Sequence, residues 1–282
     1  RREVCTYIPA MLGTSAGRKN IPRLLAADDP APFSIHNGTG RARFLMVCDH
    51  ASNAVPWALD SLGISSAQLE RHIGWDIGAG DLTRRLADTL DATALLGGYS
   101  RLVIDLNRAL DDPTSIPEIS DGTIVVGNHG LSTRMRTARA NEIFHPYHEA
   151  VTAEVDRHMS AGAVPALVSI HSYTPVAKGK HRPWDVGVTW NRDPRLPIPF
   201  MAGLGTAADI QIGDNLPFSA RNGYGYTCAI HATKRGLPEL LIEIRQDLLD
   251  GDRRVEEWAG ILTPVLADVL SHEDIYRVEH FT

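Results

Sequence analysis

Four apolar runs in this chain of 282 residues contain, or run out into, groups capable of acid–base or metal chemistry. Arg43-Phe-Leu-Met-Val-Cys48 leads into Asp49-His50, and Leu102-Val-Ile-Asp-Leu106 carries Asp105 ahead of Asn107-Arg108. Ala166-Leu-Val-Ser-Ile-His171 ends on His171-Ser172, and Glu239-Leu-Leu-Ile-Glu-Ile244 holds Glu243. Each run reads as a strand buried on both faces of a parallel sheet. In open α/β sheets, ligand sites assemble outside the carboxyl ends of such strands. Two imidazoles and a carboxylate form a zinc-type donor set that leaves one position for water, whose pKa falls to about 7. A buried Glu243 is costly unless it is paired or used as a base, and Arg108 can grip a carboxylate through two parallel hydrogen bonds. These residue types, so placed, point to metal-assisted hydrolysis of a carboxylate-bearing substrate.

The same segments resemble known enzymes. Ser169-Ile-His-Ser-Tyr173 is similar to the strand that supplies the last zinc-binding histidine of zinc carboxypeptidases. Asp105-Leu-Asn-Arg108 resembles their carboxylate-holding Asn-Arg segment, and Leu241-Ile-Glu-Ile-Arg245 the strand of their general-base glutamate. A nearer resemblance is to the N-formylglutamate amidohydrolase family. It rests on Cys48-Asp-His-Ala-Ser52, Tyr99-Ser-Arg-Leu-Val-Ile-Asp-Leu-Asn-Arg108, Pro146-Tyr-His-Glu149 and Val168-Ser-Ile-His-Ser172, in order along residues 43–250. The resemblance implies a zinc-dependent amidohydrolase that cleaves an N-acyl, in particular N-formyl, amino acid. For N-formyl-L-glutamate the products are formate and glutamate, the last step of one histidine-degradation route. It implies His50 and His171 as metal ligands, Glu243 as general base, and Asn107 and Arg108 as the clamp on the substrate carboxylate. One zinc ion is expected, with another divalent metal as its substitute.

The third ligand departs from the carboxypeptidase pattern. Where those enzymes have His-x-x-Glu, this chain has His50-Ala-Ser-Asn53, and an Asn carbonyl brings no charge to the ion. Asp76, in Gly74-Trp-Asp-Ile-Gly78, is the candidate acid, although an Asp there can equally cap the following helix. Asn53 stays a candidate ligand and Asp49 a candidate orienting acid. Arg101 reads two ways, as a stabiliser of the developing oxyanion or as a brace for the sheet. Ser172, beside His171, and His148, which matches a family position, are the further substrate-binding candidates. Lys178-Gly-Lys-His-Arg182, after the His171 strand, is favoured as a solvated basic loop over a contact for an anionic substrate, and Glu239 reads as a surface residue at the start of its strand.

The elements that must position these groups follow from periodicity. Strands are expected over the four runs and over Asp185–Trp190. Helices are expected over Ser65–Arg71, after Asp76 with Leu82, Leu86 and Leu90 inward, over Ser132–Met159 with a break at Pro146, and from Asp252 onward. Residues 212–238 read as a long Gly- and Asn-rich loop. The pattern predicts a single-domain α/β fold whose mixed, mostly parallel central sheet is flanked by helices, hydrolase-like and zinc-carboxypeptidase-like. It would occupy residues 41–282 behind an irregular N-terminal arm over residues 1–40.

A formal net charge of -6 argues against a nucleic-acid or anionic-membrane binder. No run reaches the roughly 20 apolar residues of a membrane helix. Thr6 and Pro9 interrupt the short apolar stretch after Arg1-Arg2, against an export signal, and three scattered cysteines, Cys5, Cys48 and Cys228, suit a reducing compartment. A cytoplasmic enzyme on a small-molecule substrate is the expectation. The sequence contains neither GxxxxGKS nor GxSxG, so nothing supports a phosphate loop or a serine nucleophile. Two rivals remain open at this level: a peptidase or other amide hydrolase on the same scaffold, and a metal-free binding protein.

Overall fold

The computed structural model describes residues 23–207 and 209–281. Seven strands form its main sheet: β1 Phe33–His36, β2 Phe44–Cys48, β3 Thr93–Gly97, β4 Ala166–Tyr173, β5 Val186–Thr189, β6 Ile212–Asp214 and β7 Glu239–Arg245. Their spatial order is β1-β3-β2-β4-β7-β5-β6. The inner strands β3, β2, β4 and β7 are mutually parallel. β1 lies antiparallel to β3, and β5, parallel to β6, lies antiparallel to β7. The sheet is thus mixed and mostly parallel, as the sequence pattern predicts.

Side chains alternate across a strand, so each buried run feeds two cores. On one face Met46, Cys48, Val168, Ile170 and Ile242 pack with helices α1 Ala79–Thr89, α4 Pro197–Ala207 and α6 Asp252–Val269. On the other, Leu45, Val47, Leu167 and Leu241 pack with α3 His145–Ser160 through Tyr147, Val151 and Val155. Each such aliphatic or aromatic side chain contributes about 1.5–3 kcal/mol of burial. The same alternation places Asp49, His171 and Glu243 on the α3 side, at the carboxyl ends of three adjacent parallel strands. In register, Val47 faces Ser169, and His171 faces Glu243.

One expected strand is not one. Leu102–Leu106 is a buried irregular segment, and β3 is formed by Thr-Ala-Leu-Leu-Gly at 93–97 instead. Apolar character cannot distinguish the two, because buried coil is tolerated where other groups satisfy its backbone. Here Asn128 Nδ2 donates to Leu102 O (2.8 Å), Arg139 Nη1 to Val103 O (2.9 Å), and Asp105 N to Ser115 O (2.7 Å). Arg139 is fully buried, and desolvation pulls its pKa down to about 10.

Other boundaries shift. Regular structure starts at Phe33, inside the segment expected to be irregular, while residues 1–22 of that arm and Cys5 lie outside the described residues. The helix expected over Ser65–Arg71 shrinks to Ser66–Leu69, with Ser65 and Gln68 forming a capping box. Pro146 does not break its helix. α2 Thr133–Arg139 passes through a wide turn at Ala140–Phe144, where His145 N bonds Ala140 O, so α3 starts with Pro146 in its first turn and no hydrogen bond is lost. The expected loop 212–238 contains β6 and a short helix, α5 Tyr226–His231. Glu239 is buried rather than superficial, with Thr233 Oγ1 at 2.9 and 2.8 Å from its two oxygens.

Two glycines let the backbone close around the strand ends. Gly97 ends β3 where a Cβ would lie 2.2 Å from Asp49 O, and Gly78, at φ +75, turns the chain into α1 directly against Leu249.

Candidate active site

His50 follows β2, Asp76 sits in the loop ahead of α1, and His171 lies on β4; all three are buried. Asp76 does not cap α1, whose N-terminus has no side-chain capping hydrogen bond. Its Oδ2 instead lies 2.7 Å from His171 Nδ1 and 3.3 Å from His50 Nδ1. One donor atom from each residue falls within a 4.8 Å cluster. The backbone sets this up: Asp76 N donates to His50 O (3.0 Å), and Ser172 N reaches Asp76 Oδ2 (3.4 Å).

The far nitrogen of each ring meets a further carboxylate. His50 Nε2 is 2.7 Å from Asp105 Oδ1, and His171 Nε2 is 3.2 Å from Asp49 Oδ2. That Asp49 oxygen is buried and makes no hydrogen bond, while Tyr147 Oη and Thr227 Oγ1 donate to Oδ1 at 2.7 and 2.8 Å. Arg101 links the two other acids, with Nη1 on Asp76 Oδ1 (3.0 Å) and Nη2 and Nε on Asp105 Oδ2 (3.0 and 3.2 Å).

Electrostatics follow from this crowding. Burial by itself raises the Asp76 and Asp105 carboxyls, yet His50 and Arg101, with His171 at Asp76, hold both below the usual carboxylate range. Burial disfavours the charged form of both imidazoles, and at His50 Arg101 does too; the surrounding carboxylates outweigh this and raise both. A buried group of acids that pulls protons onto its histidines is equally a group that attracts a cation. Glu243 goes the other way. Desolvation, opposed by His171 and reinforced by Asp76, pushes its pKa up to about 7.

These groups open onto a cavity of about 110 Å³. His50, Asp76, His171 and Glu243 line it, together with Arg108, Arg182, Phe218 and Tyr224. Arg108 lies over the Tyr224 ring at 4.8 Å. Asn107 is held by the protein, its Oδ1 accepting Thr227 N (3.0 Å) and its Nδ2 standing 3.4 Å from His171 Nε2. Ser172 lines the cavity, but its hydroxyl donates to Ile77 O (2.8 Å). Asn53 and His148 do not line it. His148 lies behind the wall, Nε2 to Leu106 O and Nδ1 to His231 Nε2, both at 2.9 Å.

Several participants escape sequence reasoning. Asp105, in the sequence only a chemically capable acid ahead of Asn107-Arg108, is the partner of His50 and Arg101. Thr227 carries no motif, Tyr147 stands in the Pro146-Tyr-His-Glu149 segment without a role read for it, and Arg182 is a half-buried wall residue rather than part of a solvated loop. Asp49 and Asp105 had one available signal: each is an acid at the end of an apolar run beside a candidate site residue.

A mixed α/β domain that gathers two histidines and four carboxylates at the carboxyl ends of its parallel strands has the make-up of a hydrolase. The chain belongs to the N-formylglutamate amidohydrolase family, whose model matches residues 42–249, and is therefore an amide hydrolase by family. No curated protein matches it. A gene product of Agrobacterium tumefaciens of known structure is 31% identical, with a TM-score of 0.85 over 88% of this chain and 98% of that one. The N-formylglutamate amidohydrolase of Ralstonia eutropha shares the fold at 19% identity, with a TM-score of 0.64 over 86% of this chain and 97% of its own. No helix among the described residues is long and apolar enough to cross a membrane.

Proposed function

We propose that this enzyme is a metal-dependent amidohydrolase of a small N-acyl amino acid, with N-formyl-L-glutamate as its foremost substrate. The observation that carries the proposal is the convergence of His50 Nδ1, Asp76 Oδ2 and His171 Nδ1 in one buried cluster on the wall that also presents Glu243. The donor set fits a divalent ion. Two imidazoles and one carboxylate are zinc's usual hydrolytic ligands, and both far ring nitrogens are backed by carboxylates, the arrangement that orients a ligating histidine. The buried Asp49 oxygen, without a hydrogen bond, has the ring of His171 as its counterpart. Bound there, zinc or another divalent ion supplies Lewis acidity that polarises the scissile carbonyl and acidifies water.

The remaining chemistry belongs to the chain. Glu243 takes the proton of the attacking water and returns it to the departing amine nitrogen, a transfer suited to a group whose pKa stands near neutrality. Arg101 keeps Asp76 and Asp105 charged and aligned. Arg108 holds the substrate α-carboxylate, its plane set by Tyr224, and Asn107, tied to Thr227 and His171, fixes the loop that presents it. A cavity of about 110 Å³ favours a small acyl amino acid over a polypeptide. The free, buried thiols of Cys48 and Cys228 suit a reducing cytoplasm.

The test is a panel of N-formyl and N-acetyl amino acids and short peptides assayed with metal-replete protein. Release of amine from N-formyl amino acids, N-formyl-L-glutamate foremost, is expected. Silence across the acyl amino acids, or cleavage of peptides alone, refutes the assignment.

A further inference from the structure

Three arginines line the cavity, and their commitments differ. Arg101 is spent on Asp76 and Asp105. Arg108 and Arg182 are ion-paired with no carboxylate among the described residues, although both are partly withdrawn from water. Arg182 follows the short hairpin Val176–Ala177 and Lys180–His181 and reaches back over the site. Its guanidinium lies 5.0 Å from the Phe218 ring centre and 5.6 Å from that of Tyr173, and Nη1 donates to Thr174 O (3.3 Å). Stacking uses the face of a guanidinium and leaves its edge N–H groups available. Phe218 in turn packs on Tyr224, ring centres 5.0 Å apart, and Tyr224 carries Arg108. Two aromatic rings thus sit between two cations, presenting two separate guanidinium edges to one small cavity. Glu243 on the cavity wall acts on the Arg182 charge at a distance, but neither it nor Asp76 forms an ion pair with Arg182 or Arg108 among the described residues.

We infer that Arg182 is a specificity-determining residue that binds a second carboxylate of the substrate, on the side chain of the acyl amino acid, while Arg108 takes the first. The inference rests on the function proposed above and assigns that function's side-chain selectivity to a named residue. Two cations on distinct shelves match a dicarboxylate. A single carboxylate needs only one bidentate partner. A guanidinium edge facing the cavity also favours a carboxylate over the neutral amide of the same shape, because the charge-assisted contact is the stronger of the two.

The test compares wild type, Arg182→Gln and Arg182→Lys in two assays. The first is kcat/KM for N-formyl-L-glutamate and for its neutral isostere N-formyl-L-glutamine. The second is calorimetric binding of glutarate and of butyrate, which requires no turnover. Losing a charge-assisted contact should lower kcat/KM for N-formyl-L-glutamate by about 10–100-fold in Arg182→Gln, leaving N-formyl-L-glutamine within a few-fold. Arg182→Lys should recover part of the loss, and Arg182→Gln should remove the preference for glutarate over butyrate. Equal losses on both substrates, or no loss on either, overturns the inference while leaving the amidohydrolase reading intact. If no acyl amino acid is cleaved yet glutarate binding depends on Arg182, Arg182 remains a carboxylate-binding residue of the cavity, while the reaction assignment and the substrate named in the inference fall. Absence of both turnover and dicarboxylate binding overturns both.

Discussion

His50 offers one ring nitrogen to Asp76 and the other to Asp105 at 2.7 Å, and the second contact decides what the first can do. With Nε2–H donated to Asp105, the Nδ1 lone pair faces the cluster, the tautomer a metal ligand needs. Asp105→Asn is therefore expected to weaken metal binding by about 10–100-fold, read by competition with a chromogenic chelator; unchanged affinity would show that Asp105 serves only Arg101. Glu243 is separable from the ion. Glu243→Gln should retain the metal and lose about 10²–10⁴ in kcat, and a variant that keeps full activity removes Glu243 from the mechanism. The residues in these predictions were unequally legible in the sequence. His50, His171 and Glu243 stand out because an imidazole or acid inside an apolar run has few cheap explanations. Asp76 stands out only because a ligand is missing without it. The roles of Tyr147 and Thr227 depend on contacts with Asp49 across 98 and 178 residues, and that of Arg182 on a stack with Phe218 beyond the next strand, for which spacing along the chain carries no signal.

At the scale of elements, the strand ends hold the chemistry and the irregular segment 102–106 holds the strand ends in place. That segment carries Asp105, precedes Asn107 and Arg108, and is tied by Arg139 to Val103 O and to Asn128 Oδ1 (2.6 Å). Arg139→Leu strands both acceptors in the core, a penalty of about 1–3 kcal/mol for each. A loss of about 3 kcal/mol in urea unfolding is expected, whereas a change below about 0.5 kcal/mol would mean that the segment is held by packing alone. The same element marks the limit of periodicity as evidence. Runs such as Phe44–Cys48, Ala166–Tyr173 and Glu239–Arg245 are readable as strands because their whole length is apolar and the backbone bonds its neighbours. Leu102–Leu106 looks alike, and remote side chains, Asn128 on Leu102 O, Arg139 on Val103 O and His148 on Leu106 O, explain how its carbonyls survive without a ladder. Likewise Pro146 looks like a helix breaker until the wide turn before it supplies a register in which no amide is missed.

For the whole molecule, the charge balance of -6 does not draw in an anionic substrate, so attraction falls to the cations lining one cavity. Global stability carries its own pH signature through Glu239, far from the site chemistry. Burial pushes its pKa from the ordinary 4.5 up to about 7. Between those values the folded state binds more protons than the unfolded one, so stability falls as pH rises from 4.5 to 7 and levels off above. The penalty is on the order of 3 kcal/mol at its fullest. Glu239→Gln should raise Tm at pH 8 more than at pH 5, and an equal shift at both would dissociate Glu239 from the effect. The proposed ion would sit among His50, Asp76 and His171, beside Glu243 on the same cavity wall. Elemental mass spectrometry of protein purified without chelator, beside a His171→Ala variant of intact secondary structure, tests it most directly. One equivalent of zinc or another divalent metal per chain is expected in the wild type, and a near-complete loss in the variant. A wild type that stays metal-free after reconstitution with zinc, or a His171→Ala protein that retains a full equivalent, contradicts it.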